Sequence, residues 1–379
     1  MTARRRKWVQ AGAGKIEAKK KRLPTPFPPP AGVGDTMDAA MPIKIDVFNH
    51  IFPQPFFKRL QEVIVHKGAI KRWLNIPFLH DLDVRFRMLE EFGPDYRQIL
   101  SLSAPPIESI NPDPGITRDL ARLANDSMAD LVRAHPARFP GFIASLPLSD
   151  PDESVAELER AVSDLGALGV QVFSNVNGLP LDDPRFWPLF ETADRLGCPM
   201  LLHPARGAGF ADYASESKSK YEIWWTFGWP YETSAAMQRL VFSRLFDRLP
   251  DIRILAHHLG AMIPYFEGRI GYGLDQFGAR TADEDYAALR ASLGKRPYDY
   301  FKMFWADTAV FGSRPATECG LTFFGPDQVV FASDAPFDPE GGALYIRETL
   351  KVIDSLEIPE ADRQKIYQGN AERLFNRSF

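Results

Sequence analysis

From Ile43 onward the chain alternates short runs with strand character and longer segments with helical character. The strand-like runs fall at 43–50, 98–103, 142–146, 170–174, 200–203, 252–257, 303–307 and 329–334. Most are apolar without strict alternation, the pattern of parallel strands covered on both faces. Between them lie amphipathic stretches, among them 151–165, 185–196 and 233–249. The first opens on Asp150-Pro151-Asp152-Glu153, where early acids match the helix dipole. Repeated strand-then-helix units imply right-handed crossovers and a parallel sheet, and eight of them predict a closed (β/α)8 TIM barrel. An open doubly wound sheet is the alternative, but no GxGxxG follows the first run.

This pattern covers 42–379 and leaves 1–41 apart. There, up to residue 22, Arg4, Arg5, Arg6, Lys7, Lys15, Lys19, Lys20, Lys21 and Arg22 face only Glu17, and a proline-rich stretch follows. Such a segment cannot bury enough apolar surface to order itself, so 1–41 is read as a disordered basic tail. A nucleic-acid arm or a transit peptide is the sharper reading, and the plain tail is preferred. The whole chain carries a formal charge of −4, so the body without this tail is acidic and gives no pull toward nucleic acid. No apolar stretch is long enough for a bilayer. The two cysteines, Cys198 and Cys319, lie far apart, which fits a reducing cytoplasm.

Chemistry enters through the run ends. His50, His203, His257, Asp307 and Asp334 each stand at or beside the end of a different run. In a barrel those ends converge on one face, where this fold keeps its active sites. A single polar strand end is ordinary packing; five together need one another, a metal or a substrate. His50, His203 and Asp334 supply two imidazoles and a carboxylate, a catalytic metal set with an open position. His257 is preferred to His258 as the inward member of its pair, and Asp307 is expected to orient a histidine. Aromatic-rich insertions at 67–87 and 206–232 follow the first and fifth runs. Phe52, Trp224 and Trp225 are the expected substrate walls, and Arg206 is placed to pair with a substrate carboxylate.

The phrases IDVFNHIFP, GVQVFSNVNGLPLDDPRFWPLFETADRLGCPMLLHP, GWPYETSAAMQRLVFSRLFDRLPDIRILAHHLG, WADTAVFG, VVFASDAPFDPEGG and GNAERLF resemble the amidohydrolase-related family, in its aminocarboxymuconate-semialdehyde and hydroxybenzoate decarboxylase branch. The resemblance runs from about Ile43 to Phe375. It implies one divalent metal, Zn2+ or Mn2+, on His50, His203 and Asp334, with His257 and Asp334 catalytic, and a homodimer. Phe48 departs from the family, which has His or Glu there; phenylalanine cannot bind a metal, so the site loses a ligand. Run four contains no lysine to bridge two metals. The expected reaction is non-oxidative decarboxylation of a small hydroxylated aromatic or conjugated unsaturated carboxylic acid. A mononuclear hydrolase of a C–C, ester or amide bond is the alternative, and a retired enzyme ranks last.

Overall fold

Eight parallel strands organise the computed structural model, which describes residues 43–379. They are β1 (Lys44–Ile51), β2 (Tyr96–Leu102), β3 (Gly141–Ala144), β4 (Gly169–Phe173), β5 (Met200–His203), β6 (Ile254–Ala256), β7 (Trp305–Asp307) and β8 (Val329–Val330). Each pairs in parallel with the next in sequence order, which rules out the doubly wound alternative. Backbone bonds then return the residues after β8 to β1. Val47 N–H donates to Phe331 O at 3.0 Å, Asp334 N–H to Phe48 O at 3.0 Å, and His50 N–H to Ala335 O at 2.8 Å. The circle closes as the (β/α)8 barrel that the sequence predicts. The 1–41 tail lies outside the described residues.

All but the last predicted run match a strand to within a residue or two. The last ends at Val330 and not 334, because the chain then leaves the ladder: Phe331 N–H donates to Ile366 O at 2.9 Å. Thr308 fills the gap, its hydroxyl donating to Ala332 O and accepting from Ala332 N–H, both at 2.9 Å. The predicted helix at 151–165 spans Pro151–Ser163, with the Asp150 carboxylate capping Glu153 N–H at 3.2 Å. The predicted 233–249 is two helices, Gly228–Phe242 and Leu245–Arg248, split where Arg244 takes φ 65°. Pro230 is tolerated because a first-turn N–H has no helical partner to lose.

Inside the barrel, Ile45, Val47, Ile99, Ile143, Leu201, Leu255, Val330 and Ala332 form an apolar fill. Leu374 and Phe375 join it beside the start of β6, where Arg253 donates to Leu374 O at 2.6 Å. Packing therefore closes the end of the barrel away from the strand C-termini and leaves the other end for polar groups. The insertion after β1 folds as short helices Ile70–Leu74, Pro77–His80 and Leu82–Leu89. It delivers Arg85 into the core with no exposed surface. Its guanidinium donates to His50 O at 2.8 Å, Asn49 Oδ1 at 2.5 Å and Gln98 Oε1 at 2.9 Å, and lies over the Phe78 ring at 4.4 Å.

Glu108, in the short helix Ile107–Ile110 after β2, is buried and neither carboxylate oxygen has a hydrogen-bond partner. Burial pushes its carboxyl up to about 8, opposed by its own backbone N–H. Between about pH 4.3, where a free glutamate ionises, and 8 the folded chain keeps a proton that the unfolded chain has released. Stability therefore falls as pH rises through that window. Glu108→Gln removes the titration. Its unfolding free energy is expected to equal the wild type's near pH 4 and to exceed it at pH 8.5 by several kcal/mol, because each pH unit crossed within the window costs the wild type about 1.4 kcal/mol. Parallel pH profiles for the two proteins would count against this account.

Candidate active site

Three imidazoles converge at the strand C-termini, each with its Nδ1 already committed. His50 at the end of β1 donates Nδ1–H to Leu102 O at 3.0 Å. His203, the last residue of β5, donates to Pro204 O at 2.7 Å. His257, just after β6, donates to Asp307 Oδ2 at 2.5 Å. These partners are pure acceptors, which assigns a proton to each Nδ1 and leaves each Nε2 to face the cluster. All three rings are buried, and one donor atom from each lies within 4.8 Å of the others. Asp307 is fixed in turn, because its Oδ1 accepts from Leu259 N–H at 3.3 Å and Ala309 N–H at 3.0 Å.

Asp334 joins the group from the segment after β8. Its Oδ1 lies 2.9 Å from His50 Nε2 and 3.4 Å from His257 Nε2, and its Oδ2 lies 3.4 Å from His258 Nε2. Asp334 has φ 59°, and His258, Leu259 and Ala261 have φ 56°, 55° and 56°. Non-glycine residues hold this left-handed conformation only where their surroundings over-determine it. For Asp334 the surroundings are visible. Ser333 beside it donates its hydroxyl and its N–H to Asp46, which Tyr96 O–H also reaches.

Burial would raise the Asp334 carboxyl, but the His257, His258 and His50 nitrogens around it hold it well below the ordinary range. Burial drives His203 well below 6.5, reinforced by the neighbouring His257, His50 and His258. His258 is lowered by burial and by His257. For His257, burial is outweighed by Asp307 and Asp334, which hold it at about 9. A neutral buried imidazole, two more whose Nε2 atoms face inward and an anionic carboxylate form a donor set suited to a divalent cation, which on binding would displace the His257 proton. His257 Nε2 is buried without a hydrogen-bond partner, and a cation would satisfy it. The cluster fits one metal ion.

Among the described residues, the sets of three donors within 4.8 Å are His50/His203/His257 and His257/His258/Asp334. The triad expected from sequence, His50, His203 and Asp334, is thus drawn together through His257. Phe48 lies in the same cluster, stacked on His257 with centroids 4.0 Å apart and planes at 14°. Phe52 does not wall the site; it is core, packed on Phe56, Phe57 and Trp73. Arg206 is engaged by Glu232 at 2.9 Å, and Trp225 donates Nε1–H to Glu222 at 2.7 Å. Trp224 meets Trp229 at 5.6 Å, and it is Trp229 that reaches His203, at 5.7 Å. The sequence groups Trp229 with the other aromatics around the insertion but does not mark it out as a wall. Sequence reasoning passed over Phe337, whose ring is 5.6 Å from His50 and three residues beyond Asp334. Arg85 gave no signal, being one arginine among many in a helical stretch.

A parallel eightfold barrel with a buried His/Asp cluster at its strand C-termini defines a metal-type enzyme of the amidohydrolase kind. The sequence matches the Amidohydrolase family over residues 105–377, and the chain belongs to that family. A 2-amino-3-carboxymuconate-6-semialdehyde decarboxylase of Dictyostelium discoideum is 30% identical over 346 residues, spanning 87% of this chain and 90% of its own. A gamma-resorcylate decarboxylase of Polaromonas sp. (strain JS666) is 34% identical over 300 residues, 77% of this chain and 86% of its own. The crystal structure of a dihydroxybenzoic acid decarboxylase from Polaromonas sp. JS666 has bound manganese and the inhibitor 2-nitroresorcinol. It resembles this fold with a TM-score of 0.71 at 29% identity, covering 89% of this chain and 97% of that one. The resemblance drawn from the sequence phrases holds. No helix among the described residues is long and apolar enough to cross a membrane.

Proposed function

We propose that this chain catalyses metal-dependent, non-oxidative decarboxylation of a small hydroxylated aromatic carboxylic acid. The observation that carries this reading is the buried group of His50, His203, His257 and Asp334, which gathers three inward imidazole nitrogens beside one anionic carboxylate. β4 contributes no lysine that could bridge a second metal. Bound there, one Mn2+ or Zn2+ would neutralise and hold the substrate carboxylate and the hydroxyl oxygen beside it.

The chain's own residues supply the rest. Trp229 and Phe337, against His203 and His50, offer flat apolar faces to a planar ring and exclude water from it. Arg72, 4.9 Å from the centre of the Phe337 ring, adds positive charge for an anionic acid. Asp334, anionic at rest, relays through the imidazoles touching it the proton that must reach the ring carbon bearing the carboxylate. As the new C–H bond forms, the C–C bond to the carboxylate breaks, its electron pair restores the aromatic ring, and carbon dioxide leaves.

The test is incubation of the Mn2+-supplemented protein with a panel of hydroxybenzoates that includes 2,6-dihydroxybenzoate. Carbon dioxide and a phenol should appear in equal amounts, without water entering the product. Turnover of ester or amide substrates with no carbon dioxide would sink the reading in favour of a hydrolase. We also place the active form in the cytoplasm as a homodimer. Supporting the dimer are Tyr213, Tyr221 and Phe227 of the 206–232 segment, which are 71%, 90% and 73% exposed. Supporting the compartment, Cys198 and Cys319 are both free.

A further inference from the structure

We infer that His257 is a direct metal ligand in this chain, taking the coordination place that Phe48 cannot fill. The inference rests on the metal-dependent reading above, but it concerns which atoms hold the ion.

The argument starts on β1. Phe48 and His50 both belong to the cluster, with Phe48 ring centroids 5.5 Å from His50, 5.9 Å from His203 and 4.0 Å from His257. A phenyl ring offers no lone pair, so β1 supplies one donor and an apolar wall. The ion's remaining donors must come from elsewhere in the ring of strands, and the nearest is His257. Its nitrogen completes a set within 4.8 Å of His50 and His203, and Asp334 Oδ1 lies 3.4 Å away as a fourth donor.

The orientation of His257 is that of a ligand. Its Nδ1–H is spent on the Asp307 carboxylate, an arrangement that fixes a metal-binding imidazole and raises its basicity. Its Nε2 is buried, makes no hydrogen bond and faces Asp334 Oδ1 across 3.4 Å, a position that a cation shared by the two would fill. Phe48 stacked at 14° and His258 tilted at 34° flank the ring. Turning it toward an incoming substrate would break the Asp307 bond and the stack together. The rival set, His257/His258/Asp334, would place the ion nearer the mouth, since the His258 side chain keeps 11% of its surface exposed.

The experiment strips the protein with a chelator, titrates it with Mn2+ by calorimetry, and records the visible spectrum of the Co2+ form. Wild type should bind one ion per chain. His203→Ala and His257→Ala should each lose about 100-fold or more in affinity, beyond what loss of an outer hydrogen-bond partner costs. His258→Ala should stay within about threefold, below that same outer-partner range. Adding Phe48→Glu to His257→Ala should restore binding by about tenfold or more, because it returns a donor to β1. Circular dichroism checks each fold. If alanine unfolds the chain, His257→Phe keeps the stack and repeats the test. Wild-type affinity in folded His257→Ala overturns the inference. So does loss of the ion in His258→Ala with retention in His203→Ala, and so does a wild type that binds no ion. An ion bound as expected by a chain that decarboxylates no hydroxybenzoate would support the ligand assignment and overturn the decarboxylase reading instead.

Discussion

Replacing His203 by alanine is expected to cut decarboxylation about a thousandfold or more while the barrel still unfolds cooperatively. His203 is 2% exposed, its Nδ1 is spent on Pro204 O, and burial keeps the ring neutral, so Nε2 has no task but to donate its lone pair. An ion that stabilises developing charge contributes several kcal/mol to the barrier, and each 1.4 kcal/mol is about tenfold in rate. Removing one of few donors should release the ion and forfeit most of that. Alanine leaves a small void against Phe173 and Trp229, whose rings lie 5.2 Å and 5.7 Å from the imidazole. That void should cost only about 1–3 kcal/mol of stability. Steady-state rates at saturating Mn2+, with thermal melts alongside, check both halves. A variant within tenfold of wild type would remove His203 from the metal site.

The second large effect belongs to a residue that touches no substrate. Arg85→Met is expected to destabilise the chain by about 3–5 kcal/mol, because it strands three buried acceptors together. Those are His50 O, Asn49 Oδ1 and Gln98 Oε1. Burial already lowers the guanidinium to about 10, opposed by Tyr96 and Asp46, so the fold holds this charge at a cost that its hydrogen bonds offset. Because one of those bonds grips the carbonyl of His50, metal affinity should fall as well, by about 10-fold. Denaturant unfolding and calorimetry measure the two. A loss below about 1 kcal/mol would mean that water replaces the guanidinium at no great expense.

The sequence carries the barrel plainly because eight buried parallel strands leave eight apolar runs, and this signal does not depend on distant contacts. It also marks His50, His203, His257, Asp307 and Asp334, since a polar residue ending an apolar run stands out. What it does not carry is direction. Phe52 and Phe48 both lie in the first strand phrase, yet Phe52 turns into packing with Phe57 and Trp73, while Phe48 lies on His257. β1 shifts register between Asp46 and Asn49, and nothing local announces such an irregularity. Arg206 has a carboxylate waiting 26 positions later in Glu232. Pairings of that reach are set by how an insertion folds back.

The strain-bearing Asp334 sits where the barrel closes, and this has a consequence for assembly. His50 and Asp334 are 284 positions apart, and the Asp46–Ser333 link beside them spans 287. The candidate metal group is therefore also the clasp of the ring, joining the barrel's first strand to the segment after its last. A nascent chain short of β8 lacks both Asp334 and the clasp, so the complete donor set forms only on ring closure. An ion binding only the closed ring also holds it closed, adding about 2.7 kcal/mol at a hundred times its dissociation constant. Scarcity of metal would thus shorten the protein's lifetime as well as silence it.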